Sequence, residues 1–200
     1  MNATAETSNG STRGLAAALL VLAALCLPAC TYVAGFHPVQ EPEKLGSPTP
    51  ASVSFHMKPA LVEAKHSFRA AGSGIAHKWV VPYRQRVDDF AVSYLSAAFT
   101  DFSESGSPAT GSGGSVNVEI TNVEYVVKHQ AANVTIDVEA TGERDNAILS
   151  QQYSARGWSG SGAVLGGGAF AQKGVTRSST DQALKEIFEK LVADLRAAVK

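Results

Sequence analysis

Cysteine is nearly missing from this chain. The two it has, Cys26 and Cys30, both lie near the start, so the body that follows carries no thiol and no disulfide. Such a domain must be held by its own core, which about 150 residues can supply. Neither sign of charge is in excess: 17 Lys+Arg stand against 18 Asp+Glu, a formal net charge of −1. There is no broad basic field for nucleic acid and no acidic tail. A long apolar run is missing too. Leu15–Leu27 falls short of the roughly 20 apolar residues that cross a bilayer core. Pro28, Pro38 and Pro42 follow it and prevent its extension as a helix. No internal repeat is found.

Motifs of catalysis are equally thin. His37, His56, His66, His77 and His129 are scattered, with no HxxxH or HxH pair and no carboxylate at ligand spacing, so no metal is expected. No Gly-x-Ser-x-Gly elbow stands between a strand and a helix. "GWSGSG" (Gly157–Gly162) comes nearest, with Gly157 and Ser159 in place, but Ser161 holds the position of the closing glycine. The glycine-rich Gly157–Phe170 stretch has no Gly-Lys-Ser/Thr ending, so it does not read as a phosphate loop. The chain is expected not to be an enzyme, with no catalytic residues and no cofactor.

What is present begins at the N-terminus. A polar leader with Arg13, a short apolar middle and a small-residue exit are the three parts of a secretory signal. Leu27-Pro28-Ala29-Cys30 resembles the lipobox of bacterial lipoproteins. That resemblance implies a diacylglyceryl group on the Cys30 thiol, cleavage just before it, and an acyl chain on the new amino terminus. Two or more acyl chains hold a protein stably on a membrane. It also implies that Thr31 fits sorting to an outer membrane, facing the periplasm, in a host with two membranes. The expected organisation is a signal peptide over 1–29, a lipidated N-terminus and proline-rich tether over 30–50, and a globular domain over 51–200.

Within the body, "ASVSFHM" (Ala51–Met57) alternates as a strand, with a second possible between Ala60 and Phe68. Val87, Phe90, Ala91, Tyr94, Leu95, Ala98 and Phe102 recur as one helical stripe, with Pro82 at its start and Gly106 past its end. "SVNVEITNVEYVV" alternates at Val116, Val118 and Ile120 and resumes out of phase at Val123, Tyr125 and Val127, which predicts a β-bulge. "AANVTIDVEAT" places Ala132, Val134, Ile136, Val138 and Ala140 on one face. "ILSQQYSARGW" reads as a third strand of this group. A closing helix is expected from about Thr180, with Ser179 and Gln182 at capping-box spacing and Asp181 near the positive end of its dipole. Together these predict one α+β domain of two layers. An antiparallel or mixed sheet of about four to five strands is covered on one face by two amphipathic helices.

The order strand, helix, three-strand meander, helix is similar to the YajG-like envelope lipoproteins and, more loosely, to auxiliary lipoproteins of ABC transport systems. "VNVEITNVEYVV", "ANVTIDVEAT", "QQYSARG" and "DQALKEIFEKLVADL" carry the likeness. The family's Asp-Arg pair before the first helix is not recognisable here. The resemblance implies an envelope accessory without catalytic residues.

Two stretches are candidates for contact with a partner or with lipid. One is "HKWVVPYRQR", where Lys78, Arg84 and Arg86 gather with Trp79 and Tyr83 at a helix start. Cations there oppose the helix dipole, a cost an anionic partner would offset. The other is Gly157–Phe170, read as a long loop in which Trp158, Val164, Leu165 and Phe170 offer apolar contact. The functional expectation is a membrane-anchored envelope protein acting as a non-catalytic accessory that binds an envelope protein partner, with no nucleic acid involved. The alternative is a periplasmic carrier holding a lipid or other apolar ligand between sheet and helices, which an empty cavity there would favour.

Overall fold

Alternating burial along the long strands sets the architecture. The structure is a computed structural model; it describes residues 31–42, 45–61, 64–69, 78–104, 115–128, 130–142, 146–160 and 163–199. In order, the elements are β1 (Thr31–Val33), β2 (Thr49–Met57), β3 (His66–Phe68), β4 (Lys78–Val81), α1 (Tyr83–Ala98), β5 (Phe99–Ser103), β6 (Ser115–Lys128), β7 (Ala131–Thr141), β8 (Ala147–Trp158) and α2 (Ala163–Ala198), with a 3-10 turn at Pro59–Leu61. The fold is α+β with two mixed sheets, one of five strands in the order β5-β2-β6-β7-β8 and one of three in the order β1-β4-β3. The residues from Thr31 onward form one compact unit.

In the large sheet β2 runs parallel to both β5 and β6, while β6, β7 and β8 form an antiparallel meander. The inward face carries Val53, Phe55, Val118, Ile120, Val134, Ile136 and Val138, each at most 2% exposed. The predicted bulge is present. Ile120 faces Val138 and Asn122 faces Asp137, so Thr121 is the extra residue, and its hydroxyl donates to the Asp137 carbonyl (3.3 Å). One inserted residue moves the inward set from even to odd positions, which keeps Val123, Tyr125 and Val127 on the core side.

Helices α1 and α2 supply the second layer. Val87, Phe90, Ala91, Tyr94 and Leu95 of α1 are buried, as are Leu184, Ile187, Phe188, Leu191 and Leu195 of α2. The rings of Phe90 and Tyr94 lie against Phe188 at centroid separations of 6.2 and 6.0 Å.

Three local expectations are corrected. The helical stripe in the sequence runs on to Phe102, but α1 ends at Ala98 and the chain passes straight into β5, with Phe99 already extended (φ −128°, ψ 149°). The pull is tertiary: Phe99 pairs with Thr49 and Phe102 with Val53. The last helix begins at Ala163 rather than near Thr180. Ser179 and Thr180 therefore sit inside it and return their hydroxyls to the Thr176 carbonyl (3.2 and 2.7 Å) instead of capping. The third concerns the three-stranded sheet, built from residues on both sides of the first large strand. The sequence pattern gave only a hint of β3 within it.

Candidate functional site

The proline-rich stretch behind residue 30 was expected to be a free tether. It is instead a strap laid along the body. Its first residues form β1, paired in parallel with β4, and Ala34 N–H continues the pairing to the Val80 carbonyl (2.9 Å). Phe36, Val39 and Leu45 then pack against the core. Prolines cannot donate hydrogen bonds, but the carbonyls between them can accept, and three arginines from the helices use them.

Arg86 of α1 is 2% exposed. Its Nη1 donates to the His37 carbonyl (2.6 Å), and its Nε donates to Asp181 Oδ1 of α2 (2.7 Å). The guanidinium lies over the rings of Phe36 and Phe90, 5.1 and 4.9 Å from their centroids. Buried charge is tolerated only when paired and hydrogen-bonded in this way. Arg177 of α2 donates to the Gly35 carbonyl, and its Nη1 lies 3.1 Å from His37 Nε2. A guanidinium only donates, so that histidine nitrogen is the acceptor. Arg196, near the end of α2, donates to the carbonyls of Leu45, Ser47 (3.2 Å) and Ala98 (3.0 Å), joining the strap to the end of α1.

Arg86→Met should therefore free the strap. A loss of about 3 kcal/mol is expected, since a charge-assisted network is broken while Asp181 keeps partial access to water. Hydrogen exchange checks it: amides over 34–40 should exchange faster than in the parent while those of β6 and β7 stay protected.

Between the strap and the helices lies an open cleft of about 620 Å³. Gln40 and Glu41 border it on the strap side, and Tyr94, Lys185 and Glu189 on the helix side. Both signs of charge are represented, and the cleft is not between sheet and helices. There Ile136 of β7 and Leu184, Ile187 and Leu191 of α2 are fully buried.

The opposite face of the large sheet is polar and its side chains are paired across strands. Ser52 donates to Asp101, Ser54 donates to Asn117 (3.1 Å), and His56 Nε2 lies 3.4 Å from Glu119 Oε1. Asn122 and Gln152 both donate to the Asp137 carboxylate (3.1 and 2.8 Å). These contacts account for the polar partners of the central strand. His66 in β3 is edge-on to Tyr125 at 5.5 Å, and burial pulls its pKa below the usual histidine value.

The contact candidates separate sharply. Lys78 is exposed at the start of β4, and Trp158 is 46% exposed at the end of β8. Tyr83 and Arg84 are half-buried, with Tyr83 stacked on Tyr125 at 4.9 Å. Trp79 is buried under Tyr32 (5.3 Å between centroids), and Arg86 is buried under the strap, so neither presents a surface. Their basic and aromatic character, read as an exposed patch, serves packing. Val164, Leu165 and Phe170 are on helix rather than loop, and their side chains lie outside the described residues, as do Cys30, His77 and His129. Tyr32 and Val33 sit among residues whose composition resembles a linker, so no local signal marks them. Among the described residues, no group of three or more metal-ligating side chains comes together, and no helix is long and apolar enough to cross a membrane.

This geometry defines an α+β protein with a strap, residues 31–42 and 45–47, held along its body by arginines of both helices. No family model and no curated protein sequence matches the chain. Among solved structures it is similar to protein XCC0632 from Xanthomonas campestris, of the DUF330 family, with TM-score 0.47, 12% identity and coverage of 85% of this chain and 96% of that one. It is also similar to an uncharacterized protein (TM-score 0.43, 10% identity, 85% and 97% covered). The hypothetical protein CT253 from Chlamydia trachomatis gives TM-score 0.41 and 10% identity, with 76% and 98% covered.

Proposed function

We propose that this chain is a lipid-anchored envelope lipoprotein of the YajG-like kind, whose body binds a protein partner and does no chemistry of its own. One observation carries the reading. The compact unit begins at Thr31, the residue directly behind the cysteine that the lipobox would lipidate. Cleavage before Cys30 would therefore leave the compact unit Thr31–Lys200 whole. The cleft that the structure offers lies between strap and helices, and Ile136, Leu184, Ile187 and Leu191 are fully buried between sheet and helices; this favours a partner-binding role over a carrier role, because a carrier needs room for its ligand.

Cys30→Ala should move the protein from the membrane fraction to the soluble fraction while its melting temperature holds. Retention on membranes after a high-salt wash would remove the anchor from this account. The partner is sought with photoreactive residues at Gln40 and Lys185, on either side of the cleft, in native membranes. One dominant protein adduct is the expected result. Lipid adducts alone, or none, would return the carrier reading.

A further inference from the structure

The small sheet caps one end of the large one. β4 feeds into α1, whose first residue, Tyr83, stacks on Tyr125 near the end of β6; His66 of β3 touches the same ring. Three residues beyond Tyr125, Lys128 faces Ala131, which in turn faces Trp158, forming the last rung of the sheet. The large hydrophobic residues left exposed among those described are Tyr32 (38%), Val33 (57%), Val126 (37%) and Trp158 (46%). Tyr32 and Val33 are on β1, which pairs with β4 of this small sheet, Val126 follows Tyr125 on β6, and Trp158 closes the last rung. Exposed cations accompany them: Lys65 just before β3, Lys78 on β4, Lys128 on β6 and Arg156 on β8. The Arg156 guanidinium lies 5.9 Å from the centre of the Trp158 ring. Glu124 is the exposed acid on the same stretch of β6.

We propose that this end of the body is a bilayer-contact face, seated on the anionic headgroup layer of the membrane that holds the chain; the proposal rests on the lipid-anchor reading. The occupant follows from where the chain enters. Residue 30 is one peptide bond from β1, so acyl chains at Cys30 would leave the body from this end and no other. Tyrosine and tryptophan suit the boundary between headgroups and hydrocarbon because their rings are apolar with a polar edge. Lysine and arginine beside them meet lipid phosphate, and apolar area and charge together set the strength of such peripheral contact. An exposed apolar cluster with mixed basic residues is otherwise a liability on a soluble surface.

The test uses the compact unit Thr31–Lys200 carrying Trp79→Phe, which leaves Trp158 as the single tryptophan. It is mixed with phosphatidylcholine vesicles containing or lacking phosphatidylglycerol. Expected are salt-sensitive binding that favours the anionic vesicles, a blue shift of Trp158 emission, and quenching by brominated lipid. Reversing charge with Lys78→Glu, Lys128→Glu and Arg156→Glu together should lower vesicle partitioning about tenfold or more, with the melting temperature unchanged. No binding to anionic vesicles at low salt overturns the proposal. So does binding without quenching of Trp158, or binding indifferent to charge reversal. Concentration-dependent dimer mass in light scattering, with no vesicle binding, would assign the patch to a second copy of the chain and likewise overturn it. The assay does not involve Cys30. A failed anchor, read from the Cys30→Ala fractionation, is therefore distinguished from a failed contact face.

Discussion

Gly157→Ala is expected to destabilise the protein by about 3 kcal/mol or more, the upper end of what overpacking costs. The reason is a close approach of β8 to α2. A Cβ added at Gly157 would lie 1.7 Å from the Ser179 carbonyl oxygen, 2.7 Å from its carbonyl carbon and 2.9 Å from the Ala183 nitrogen. All three are backbone atoms, so no side chain can swing aside and the helix itself must move. That movement would disturb its neighbours: Trp158 N–H donates to Gln182 Oε1 (2.8 Å), and the Tyr125 hydroxyl is 2.7 Å from Thr180 Oγ1. At this chain length the loss should appear as a fall of about 6–12 °C in melting temperature. Gly160→Ala is the control, since nothing lies within 4 Å of a Cβ there, and it should melt with the parent. If the two variants melt together, the helix does not rest on β8 as described.

The second large effect is alkaline unfolding. Burial raises the pKa of Tyr94 from 10.0 to about 12, with Glu189 adding to the shift. Burial raises Tyr125 further still, the Thr180 hydrogen bond opposing it only in part. Tyr153 is raised by burial and then by Asp194, whose carboxylate accepts its hydroxyl proton at 2.8 Å. Each phenol keeps its proton in the folded chain at pH values where the unfolded chain has released it. Stability is therefore complete below pH 10 and falls as pH rises from 10 toward the raised values. The slope approaches about 1.4 kcal/mol per pH unit for each tyrosine. Urea midpoints measured from pH 8 to 12 should fall steeply above 10, with phenolate absorbance rising together with the loss of circular dichroism. Tyr94→Phe should make that fall shallower. Phenolate forming at Tyr94, Tyr125 or Tyr153 near pH 10 while the fold persists would contradict the buried placement of these three rings.

Local physics was readable in the sequence wherever a strand or helix satisfied its own periodicity. The phase change after Ile120 announced the bulge because side chains alternate with period two, and one extra residue is the simplest way to keep both halves facing inward. The stripe of α1 and the later part of α2 were equally plain. The start of α2 was hidden because Gly166, Gly167 and Gly168 disfavour helix by about 1 kcal/mol each, and propensity read alone stops there. The strap was hidden for a different reason. Its carbonyls accept from Arg86, Arg177 and Arg196, which are 49 to 151 residues away. No window of the sequence contains both partners. The same distance misplaced Arg86: beside Lys78 and Arg84 it resembled surface charge, and only the fold brings Phe36, His37 and Asp181 around it. Gly157, by contrast, stands in the sequence as part of an incomplete serine elbow, whereas in the fold its smallness lets a helix lie against a strand.

The strap also fixes how far the body can travel. A loose chain of about 20 residues would let a domain wander roughly 25 Å from its point of attachment, sweeping a hemisphere and meeting partners across a gap. Here the described residues of that stretch are committed to β1 and to three arginine clasps, so a chain anchored at its start would have little slack. If Cys30 is where the acyl chains attach, the domain stands on the membrane as a foot with a fixed sole, rotating about the normal but unable to rise. A partner would then have to come down to it, and would meet the same side of it each time.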